Sequence, residues 1–280
     1  MRTWFITGVS SGFGRALAEA ALKQGDRVIG TLRSERQQAE FSAIAPGLSF
    51  GVILDVRQEG EVQRVVTEIE KRNGAIDVLV NNAGYGYEGT LEEASMQDIR
   101  DQFEVNVFGA IAVTKAVLPF MRTRRSGHII NITSMGGLMT FAGLGVYHGS
   151  KFALEGISEA LGKEVSTFGI KVTAVEPGAV RTNWAGGSMK RGESTIADYE
   201  TVLGPNRKAR AERSGKQAGD PQKAAAAIIK LVDSAQPPSH LLLGTDALAY
   251  VRNKLDFLQQ EIQQWEHVTT STNFENEGVA

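Results

Sequence analysis

The chain has 280 residues, a formal net charge of -2 and a hydrophobic fraction of 42%, which indicate a globular protein with enough apolar residues for a large core. This charge gives no electrostatic basis for binding nucleic acid or an anionic membrane. Cysteine is absent, so disulfides, thiolate metal sites and cysteine nucleophiles are excluded. The four histidines have no paired spacing that indicates a metal site. The N-terminal residues show neither a signal peptide nor a membrane span, and a cytoplasmic protein is expected.

Short apolar segments alternate with longer amphipathic or alanine-rich segments along the chain. The short segments predict strands at residues 3–7, 27–32, 48–54, 77–80, 127–134, 171–175 and 241–243. The longer segments predict helices at residues 13–24, 59–73, 96–121, 147–168, 220–233 and 247–266, with a further polar helix ending near residue 46. Alternation of this kind is typical of an α/β fold with right-handed crossovers and a parallel sheet that is covered by helices on both faces.

One segment, residues 183–219, has no regular pattern and is too long for an ordinary connection. It is polar and rich in glycine, lysine and arginine, and such segments often form lids or binding loops on a rigid scaffold. The alternative is a flexible insertion. We interpret the basic residues at 207–216 as a solvated face, with contact to an anionic substrate as the alternative.

A glycine- and serine-rich turn joins the first predicted strand to the first predicted helix. Glycines at this place let the backbone turn tightly, and the positive end of the helix dipole then faces a bound phosphate. The spacing is G-x-x-x-G-x-G rather than the G-x-G-x-x-G of the common dinucleotide motif. The residues predicted to contact the cofactor here are Gly8, Ser10, Ser11, Gly12, Phe13 and Gly14.

The end of the second strand indicates which dinucleotide binds. An acidic residue about 20 residues beyond the glycines would bind the ribose hydroxyl of NAD, but the sequence there is Thr31-Leu32-Arg33. Arg33 can hold a 2′-phosphate through charge-assisted hydrogen bonds, which favours NADP. The alternative is a solvated arginine. Asp55, at the end of the third strand, is placed to accept from the adenine amino group, and its alternative role is that of a helix N-cap.

Tyr147 and Lys151 are four residues apart, so in a helix both side chains leave the same face. Lowering a phenol pKa of roughly 10 by about 3 units requires roughly 4 kcal/mol. A unit charge about 4 Å away supplies roughly that energy at an effective dielectric constant of about 20. The spacing alone is common on surface helices, and the rest of the chain must support a catalytic role.

Six motifs occur in order at regular intervals along the chain. They are Thr7-Gly8-x3-Gly12-x-Gly14, Asn81-Asn82-Ala83-Gly84, Asn106, Ser134, Tyr147-x3-Lys151 and Pro177-Gly178. Together they closely resemble the short-chain dehydrogenase/reductase family over about residues 3–182. The resemblance implies a single Rossmann-type domain over residues 1–280 with a doubly wound sheet of about seven strands, a substrate lid at about 183–219 and a C-terminal helix at about 247–266.

The resemblance also implies a catalytic set of four residues. Tyr147 would exchange a proton with a carbonyl or alcohol, Lys151 would lower the Tyr147 pKa and hold the nicotinamide ribose, and Ser134 would bind the substrate oxygen. Asn106 would anchor a water that links Lys151 to solvent. No metal is required. The remaining implied cofactor contacts, beside Tyr147 and Lys151, are Arg33, Asp55, Val56, Asn82, Ala83, Gly84, Pro177, Gly178, Val180 and Thr182.

The segment between Ser134 and Tyr147 carries no charge and should face the substrate in such a fold. An apolar ketone or alcohol suits a pocket of this composition, with packing in the core as the alternative role for its large side chains. His148 is expected to have no part in the site. The predicted pocket residues are Tyr85, Met135, Met139, Leu144 and Trp184.

These features predict an oxidoreductase that transfers a hydride between a nicotinamide cofactor and a small-molecule carbonyl or secondary alcohol, an apolar one in the sense of the pocket described above. NADP(H) is the preferred cofactor, and NAD(H) is the less favoured one. Relatives implied by the resemblance often form dimers or tetramers through helices such as 98–121 and 147–168, so a homodimer or homotetramer is expected. Two alternatives stay open. One is an NADP(H)-binding redox sensor or scaffold without turnover, and the other is a dehydratase or epimerase acting on a nucleotide sugar.

Overall fold

Strands form where the sequence has short apolar segments that end at glycine or polar residues. The computed structural model describes residues 1–182, 184 and 186–274. Within these residues the strands are β1 (Thr3–Ile6), β2 (Arg27–Leu32), β3 (Ser49–Ile53), β4 (Val78–Asn81), β5 (Gly86–Glu88), β6 (Gly127–Ile132), β7 (Ile170–Pro177), β8 (Met189–Arg191) and β9 (His240–Leu243).

Helices follow most strands and begin at polar caps or glycines. The α-helices of the described residues are α1 (Gly12–Lys23), α2 (Glu35–Ser42), α3 (Glu59–Arg72), α4 (Met96–Phe103), α5 (Gly109–Arg124), α6 (Gly145–Val165), α7 (Glu200–Arg213), α8 (Pro221–Asp233) and α9 (Thr245–Thr270). Short 3-10 turns occur at Met135–Gly137, Ser166–Phe168 and Ala197–Tyr199.

Seven of the strands form one parallel sheet in the order β3-β2-β1-β4-β6-β7-β9. The central strand β1 pairs on one side with β2 and on the other with β4, so that Phe5 lies between Ile29 and Leu79. Helices cover both faces of this sheet. The predicted doubly wound α/β fold with seven parallel strands is therefore confirmed.

The hydrophobic core lies on both sides of the sheet, because the side chains of each central strand alternate between its two faces. Trp4 and Ile6 pack with α1 and α8 on one face. Phe5 and Leu79 pack with α3 and α5 on the other. Burial of both strand faces fixes the strand ends in space, and the site is built at those ends.

The structure differs from the sequence prediction mainly around the lid. β5 and β8 form an additional two-stranded parallel sheet, and α7 occupies much of the segment predicted to be irregular. Asn183, where the predicted lid begins, lies outside the described residues. The predicted long helix at 96–121 extends over Met96–Arg124 but contains a π-helical turn at Glu104–Phe108, and α9 continues four residues beyond the predicted end at residue 266.

The same Met96–Arg124 helix is the one stretch of the described residues that is long and apolar enough to cross a membrane. By this measure alone it is weak evidence, because a core helix of a folded domain meets the same criteria. In this chain 44% of its most apolar window is buried inside the fold.

Candidate active site

The candidate site lies at the carboxyl ends of the strands, where the strand order reverses between β1 and β4. Ligands of open parallel sheets bind in the crevice at this place. β1 leads into the glycine turn, in which Gly8 and Gly12 have φ values of 75° and 62°. Residues other than glycine rarely adopt this backbone. At Gly14 the constraint is space, because an added Cβ would lie under 3.0 Å from both Asn82 Nδ2 and the Gly8 carbonyl oxygen.

Thr7 fastens the glycine turn to β4. Its Oγ1 accepts hydrogen bonds of 3.0 Å from the backbone N–H groups of Asn82 and Ala83. Asn82 Nδ2 donates in return to the carbonyl oxygens of Thr7 and Gly8, both at 2.9 Å. The backbone N–H of Gly8 donates to Thr31 Oγ1 at 2.9 Å. Sequence reasoning found Asn82 but gave Thr7 no role of its own, although its place directly before Gly8 was a signal.

The start of α1 fits the diphosphate of a dinucleotide. The N-cap Ser11 makes no side-chain hydrogen bond to the first turn, and that turn carries no acidic residue. Since the first N–H groups of a helix have no intrahelical acceptor, they are available to an anion at the positive end of the dipole. Thr182 packs beside this turn, 3.5 Å from the position of a Cβ added to Gly12. Ser10 is exposed and Phe13 half-buried at the same edge.

Arg33 directly follows β2 and is exposed at this edge. Asp55, after β3, is paired with Arg57 at 2.5 Å between Nη2 and Oδ2. The hydrogen bond from Arg57 lowers the pKa of Asp55, and the charge of Arg33 acts in the same direction. Gln58 is the residue that caps α3, so the alternative of Asp55 as a helix N-cap is wrong. Val56 is buried and therefore packs in the core as well as lying beside Asp55.

Tyr147 and Lys151 lie on one face of α6, and both are buried, with 7% and 6% of their surface exposed. Lys151 Nζ is 5.9 Å from the centre of the Tyr147 ring. Ser134, just after β6, hydrogen-bonds the Tyr147 hydroxyl and accepts from the backbone N–H of Gly136 at 3.0 Å. The fold therefore brings together three residues that are separated by up to 17 positions.

The protonation of Tyr147 differs from the prediction. Burial raises the pKa of Tyr147 to about 12, and the hydrogen bond with Ser134 opposes this only in part. Burial also lowers the pKa of Lys151 to about 8, while its Nζ donates to the carbonyl oxygen of Ile132 at 2.8 Å. The expectation that Lys151 lowers the Tyr147 pKa is wrong for the chain by itself, because desolvation dominates. At neutral pH the phenol holds its proton and the lysine is charged.

Asn106 lies in the π-helical turn between α4 and α5, a kind of bulge found often at functional sites. Its Oδ1 accepts from the backbone N–H of Tyr85 at 3.1 Å, and its Nδ2 donates to the Tyr85 carbonyl at 3.0 Å and to Ser150 Oγ at 3.1 Å. A Cβ added to Gly84 would lie 3.0 Å from Asn106 Oδ1 and 3.8 Å from Lys151 Nζ. Asn106 thus fixes the loop beside Lys151. Its predicted role in holding a water stays a prediction.

Trp184 packs against the phenol of Tyr147. The ring centres of Trp184 and Tyr147 are 5.0 Å apart. Met139 and Leu144 are buried, which fits the core role that was their alternative. Tyr85 and Met135 are half-buried. The described surroundings of the phenol are therefore largely apolar.

His148 holds the loop between Ser134 and Tyr147, and the expectation that it has no part in the site is wrong. The backbone N–H of Phe141 donates to His148 Nε2 at 2.9 Å, and His148 Nδ1 lies 2.8 Å from the carbonyl oxygen of Gly136. These two bonds require the neutral tautomer with its proton on Nδ1. Burial lowers the pKa of His148, which agrees with that tautomer. No side-chain pattern could indicate this role of His148, because its two hydrogen-bond partners are backbone groups.

The lid is tied to the body by ion pairs. Arg210 on α7 donates to Glu88 Oε1 at 3.0 Å from Nε and 2.6 Å from Nη2. The Glu88 side chain is 2% exposed, and Arg191 Nε lies 3.2 Å from its Oε2. The interpretation of 207–216 as a solvated face is therefore wrong for Arg210. The partners are 122 residues apart, so no local pattern could reveal them.

A second tie of the lid uses backbone groups. Glu93 Oε1 accepts from the N–H groups of Thr195 and Ile196 at 2.6 and 2.9 Å. A hydrogen bond from Thr90, together with these backbone bonds, lowers the pKa of Glu93 to about 2. The carboxylate therefore stays charged, and the tie stays intact, throughout the ordinary pH range.

The segment that leads from β7 toward the lid is fixed by α9. Asp246, in the first turn of α9, accepts from the backbone N–H of Ala179 at 2.7 Å. A Cβ added to Gly178 would lie under 3.0 Å from Asp246 Oδ1. Val180 forms an isolated bridge with Gly219 at the other end of the lid. These contacts thus fix the backbone of the segment that holds four predicted cofactor contacts, namely Pro177, Gly178, Val180 and Thr182.

A separate cluster of ionisable groups lies one helical turn beyond Lys151. It consists of the buried Glu155 on α6, the buried Glu176 near the end of β7 and the exposed His240 at the start of β9, with one side-chain nitrogen or oxygen of each within 4.8 Å of the others. His240 Nδ1 is 2.7 Å from Glu176 Oε1 and 3.4 Å from Glu155 Oε2. Burial, with Glu155 nearby, raises the pKa of Glu176 to about 7. Sequence reasoning missed this cluster, because its three residues lie on separate elements of the chain.

This chain matches the model of a known protein family. The short chain dehydrogenase family model matches residues 2–191, which is more than half of the chain. The chain therefore belongs to the short-chain dehydrogenase/reductase family. It is an oxidoreductase with a nucleotide-binding Rossmann fold, an enzyme that acts on a CH–OH or carbonyl group of a small molecule and binds NAD(P).

Individual relatives cover most of the chain. The crystal structure of a short-chain dehydrogenase from Streptomyces avermitilis is 43% identical, with a TM-score of 0.91 over 98% of both chains. The 3-ketodihydrosphingosine reductase of Bacteroides thetaiotaomicron is 38% identical over 85% of this chain and 86% of its own length. The NADPH-dependent 3-dehydrocapnine reductase of Ornithobacterium rhinotracheale is 35% identical over 71% of this chain and 72% of its own.

Proposed function

We propose that this enzyme is an NADP(H)-dependent reductase of an apolar ketone, which also catalyses the reverse oxidation of the secondary alcohol. The observation that carries the proposal is the buried Tyr147 phenol. It retains its proton at neutral pH, contacts Ser134 and lies under an apolar cover. A group in that state is a proton donor toward a carbonyl oxygen in the same pocket.

The chain's own residues supply proton transfer, polarisation and positioning. The Ser134 hydroxyl and the Tyr147 hydroxyl converge on one point, where a substrate oxygen would receive two hydrogen bonds as negative charge develops. Lys151 places a positive charge on the same face and supports the phenolate that remains after proton donation. The bound nicotinamide would supply the hydride. The apolar ring of Trp184 limits water around the reacting carbonyl.

A preference for NADP(H) over NAD(H) is supported by the charge at the end of β2. Arg33 is exposed at the edge of the cofactor crevice, and no acidic residue follows β2 before Glu35. Asp55, which follows β3, is paired with Arg57. A 2′-phosphate would thus meet a cation at the end of β2, and the name of one relative specifies NADPH.

An apolar substrate is supported by the surroundings of Tyr147. The Trp184 ring packs against the phenol, Met139 and Leu144 are buried in the loop that precedes it, and residues 134–147 include no acidic or basic side chain. Two relatives bear names of ketone-reducing enzymes. We also propose a cytoplasmic location and a homo-oligomeric assembly for this enzyme.

A redox sensor or scaffold that binds NADP(H) without turnover is the second candidate. It would need the same cofactor crevice but no proton donor. The retention of Tyr147 with Ser134 at its hydroxyl and of Lys151 on the same face of α6 favours the enzyme. Turnover is therefore the property that separates the two candidates.

The test is NADPH oxidation, followed by absorbance, over a panel of aryl ketones, quinones, steroids, retinoids and long-chain 3-keto compounds. We expect turnover with at least one apolar ketone. Tyr147→Phe should lower kcat by at least about a thousandfold, because it removes the proton donor without changing the ring that contacts Trp184. NADPH binding, measured by fluorescence titration, should stay within about threefold of wild type.

Tyr250→Phe is the matched control, since Tyr250 is a half-exposed tyrosine that packs against Phe141 at 5.2 Å and is outside the proposed machinery. It should keep its activity. Normal turnover by Tyr147→Phe would overturn the assignment of the proton donor. NADPH binding without turnover of any compound in a broad panel would favour the sensor.

A further inference from the structure

The C-terminal helix α9 extends away from the rest of the protein. Ala247 and Val251, near its start, are buried, and Tyr250 packs against Phe141. From Leu255 to Phe274 every residue is exposed. The exposed part of the helix, up to Thr270, is therefore about 24 Å long at about 1.5 Å per residue.

A helix of this length without tertiary contacts is marginal in water, since most helical stability in proteins comes from packing of an apolar face. The free part of α9 nevertheless keeps large apolar side chains in solvent. Leu255, Leu258, Ile262 and Trp265 are 57%, 42%, 59% and 58% exposed. A surface of this kind indicates a partner.

The apolar residues follow a heptad repeat. Their positions continue the spacing of three and four residues that starts at the base of the helix, as in Leu248, Val251, Leu255, Leu258, Ile262 and Trp265. In a coiled coil these are the a and d positions that form the seam between two helices. Val251 already packs in the body of the protein, so the part of the seam open to a partner is formed by Leu255, Leu258, Ile262 and Trp265, with the partly exposed Leu248 at its base. This continuous register favours a helix as the partner over a globular surface.

The charges beside the seam indicate the orientation of that helix. Lys254 and Glu261 occupy the g positions, and Arg252, Gln259 and Glu266 occupy the e positions. In a parallel pair of identical helices, Glu261 of each copy would face Glu266 of the other copy, which gives two repulsive contacts. In an antiparallel pair centred between residues 256 and 257, Lys254 faces Glu261 of the second copy twice, and Leu255 packs on Leu258.

We propose that α9 is an interaction surface for a second copy of this chain, with which it forms an antiparallel coiled coil. In this arrangement Trp265 of each helix reaches the base of the other helix near Leu248, which is 39% exposed. Two reciprocal Lys254–Glu261 pairs flank the seam. The base of α9 also holds Tyr250 and Asp246, so pairing would stabilise the helix that positions the segment after β7.

An anionic membrane surface is a less suitable partner for this face. From Arg252 to Thr270 the helix carries the bases Arg252 and Lys254 against the acids Asp256, Glu261 and Glu266. Helices that lie on anionic lipid have a basic polar face. The excess of acidic residues on α9 opposes that binding.

Disulfide trapping tests the pairing, because the chain has no cysteine of its own. Leu248→Cys and Trp265→Cys are prepared separately and mixed under mild oxidation. The expected product is a covalent heterodimer, at least fivefold above the homodimers of either variant. In an antiparallel pair the two residues at 265 are about 25 Å apart, at about 1.5 Å per residue, and cannot join. Gln260→Cys, on the outer face, is the control and should give background only.

Charge exchange provides the second measurement. Glu261→Lys places a lysine opposite Lys254 in both reciprocal pairs of the dimer, so we expect the rate of disulfide trapping to fall by about fivefold. The double variant Lys254→Glu with Glu261→Lys restores the pairs and should restore the rate. Efficient homodimers of Trp265→Cys, or faster trapping with Glu261→Lys, would show a parallel pair and overturn the proposal. The proposal would also be overturned if all cysteine variants gave only background trapping. Binding of the wild-type chain to phosphatidylcholine–phosphatidylglycerol vesicles through α9 would overturn the proposal as well.

Discussion

The two sides of the cleft above the sheet are held together by different forces. On the cofactor side, the Thr7 hydroxyl and the Asn82 amide bind backbone groups of the glycine turn and of the loop after β4. All of these bonds are between neutral groups. On the substrate side, the lid is tied to the body by charges, with Arg210 and Arg191 on Glu88 and Lys190 on Asp98.

The difference follows from what each side must do. The cofactor side needs a fixed set of backbone donors, and neutral hydrogen bonds hold these without dependence on pH or salt. Under the proposed function the lid would open to admit a substrate, because the Trp184 ring packs against the phenol with ring centres 5.0 Å apart. The partly exposed Lys190–Asp98 pair can be exchanged for water at moderate cost when the lid moves, whereas the buried Glu88 pairs cost more to separate and favour the closed lid. Substitutions on the two sides should therefore change different kinetic constants.

The largest effect is expected at Gly14, on the cofactor side. Gly14→Ala places a Cβ under 3.0 Å from Asn82 Nδ2 and the Gly8 carbonyl oxygen, so the turn or the amide must move. We expect the Kd for NADPH, measured by fluorescence titration, to rise at least about a hundredfold, which is roughly 3 kcal/mol. Gly60→Ala, in the first turn of α3 with nothing within 4 Å of an added Cβ, should bind NADPH normally. Normal binding by Gly14→Ala would show that the turn is not a rigid unit.

The second effect concerns the lid. Arg210→Gln removes both short hydrogen bonds to Glu88, a carboxylate that is 2% exposed. We expect a loss of about 2–4 kcal/mol in the free energy of unfolding, because a buried charge loses a main partner. The Kd for NADPH should be unchanged, whereas KM for the ketone should rise severalfold.

Chemical denaturation and steady-state kinetics measure these two quantities for Arg210→Gln. Arg213→Gln is the matched control, since this arginine lies three residues further along α7 and is exposed. It should behave as wild type. A change of the same size in both variants would contradict the role of the Glu88 pair.

The contrast between the glycine turn and the lid also explains which features could be predicted from the sequence. The place of the glycine turn between β1 and α1 was predictable, because glycine spacing and the β-α alternation identify the end of a strand. The common helix face of Tyr147 and Lys151 was predictable, because four residues make about one helical turn. Their roles in binding and catalysis stay predictions. The direction of the Tyr147 pKa was not predictable, because it depends on the degree of burial, and burial is set by the lid.

Contacts of the lid and of the loop at 134–147 were outside the reach of sequence patterns. Glu88 and Arg210 are 122 residues apart, and Glu93 binds backbone N–H groups 102 and 103 residues further on. His148 binds two backbone groups, whose identity no side-chain pattern records. Long-range pairs of this kind require the three-dimensional path of the chain, which local periodicity does not contain.

The smallest effect is expected at the root of the segment leading to the lid, where Glu176 ends β7. Burial and the neighbouring Glu155 raise the pKa of Glu176 to about 7 from 4.5. Burial opposes charging of His240, but its hydrogen bond to Glu176 and the charges of the nearby carboxylates together outweigh burial and raise the pKa of His240. The folded chain therefore binds protons more tightly than the unfolded chain at both groups. The free energy of unfolding should fall as the pH rises from about 4.5 through about 7.

We expect this decrease to be about 1–2 kcal/mol, and Glu176→Gln should remove most of it, because a neutral amide does not titrate. Thermal unfolding measured between pH 5 and pH 8.5 gives the slope. Glu164→Gln, at an exposed position on α6, should retain the wild-type slope. If Glu176→Gln also retained the wild-type slope, the pH dependence of stability would have another origin. The contrast between the glycine turn, whose bonds do not titrate, and the titrating end of β7 would then fail. Since the glycine turn contains no titratable side chain, NADPH affinity of the Gln variant should follow wild type across the same pH range.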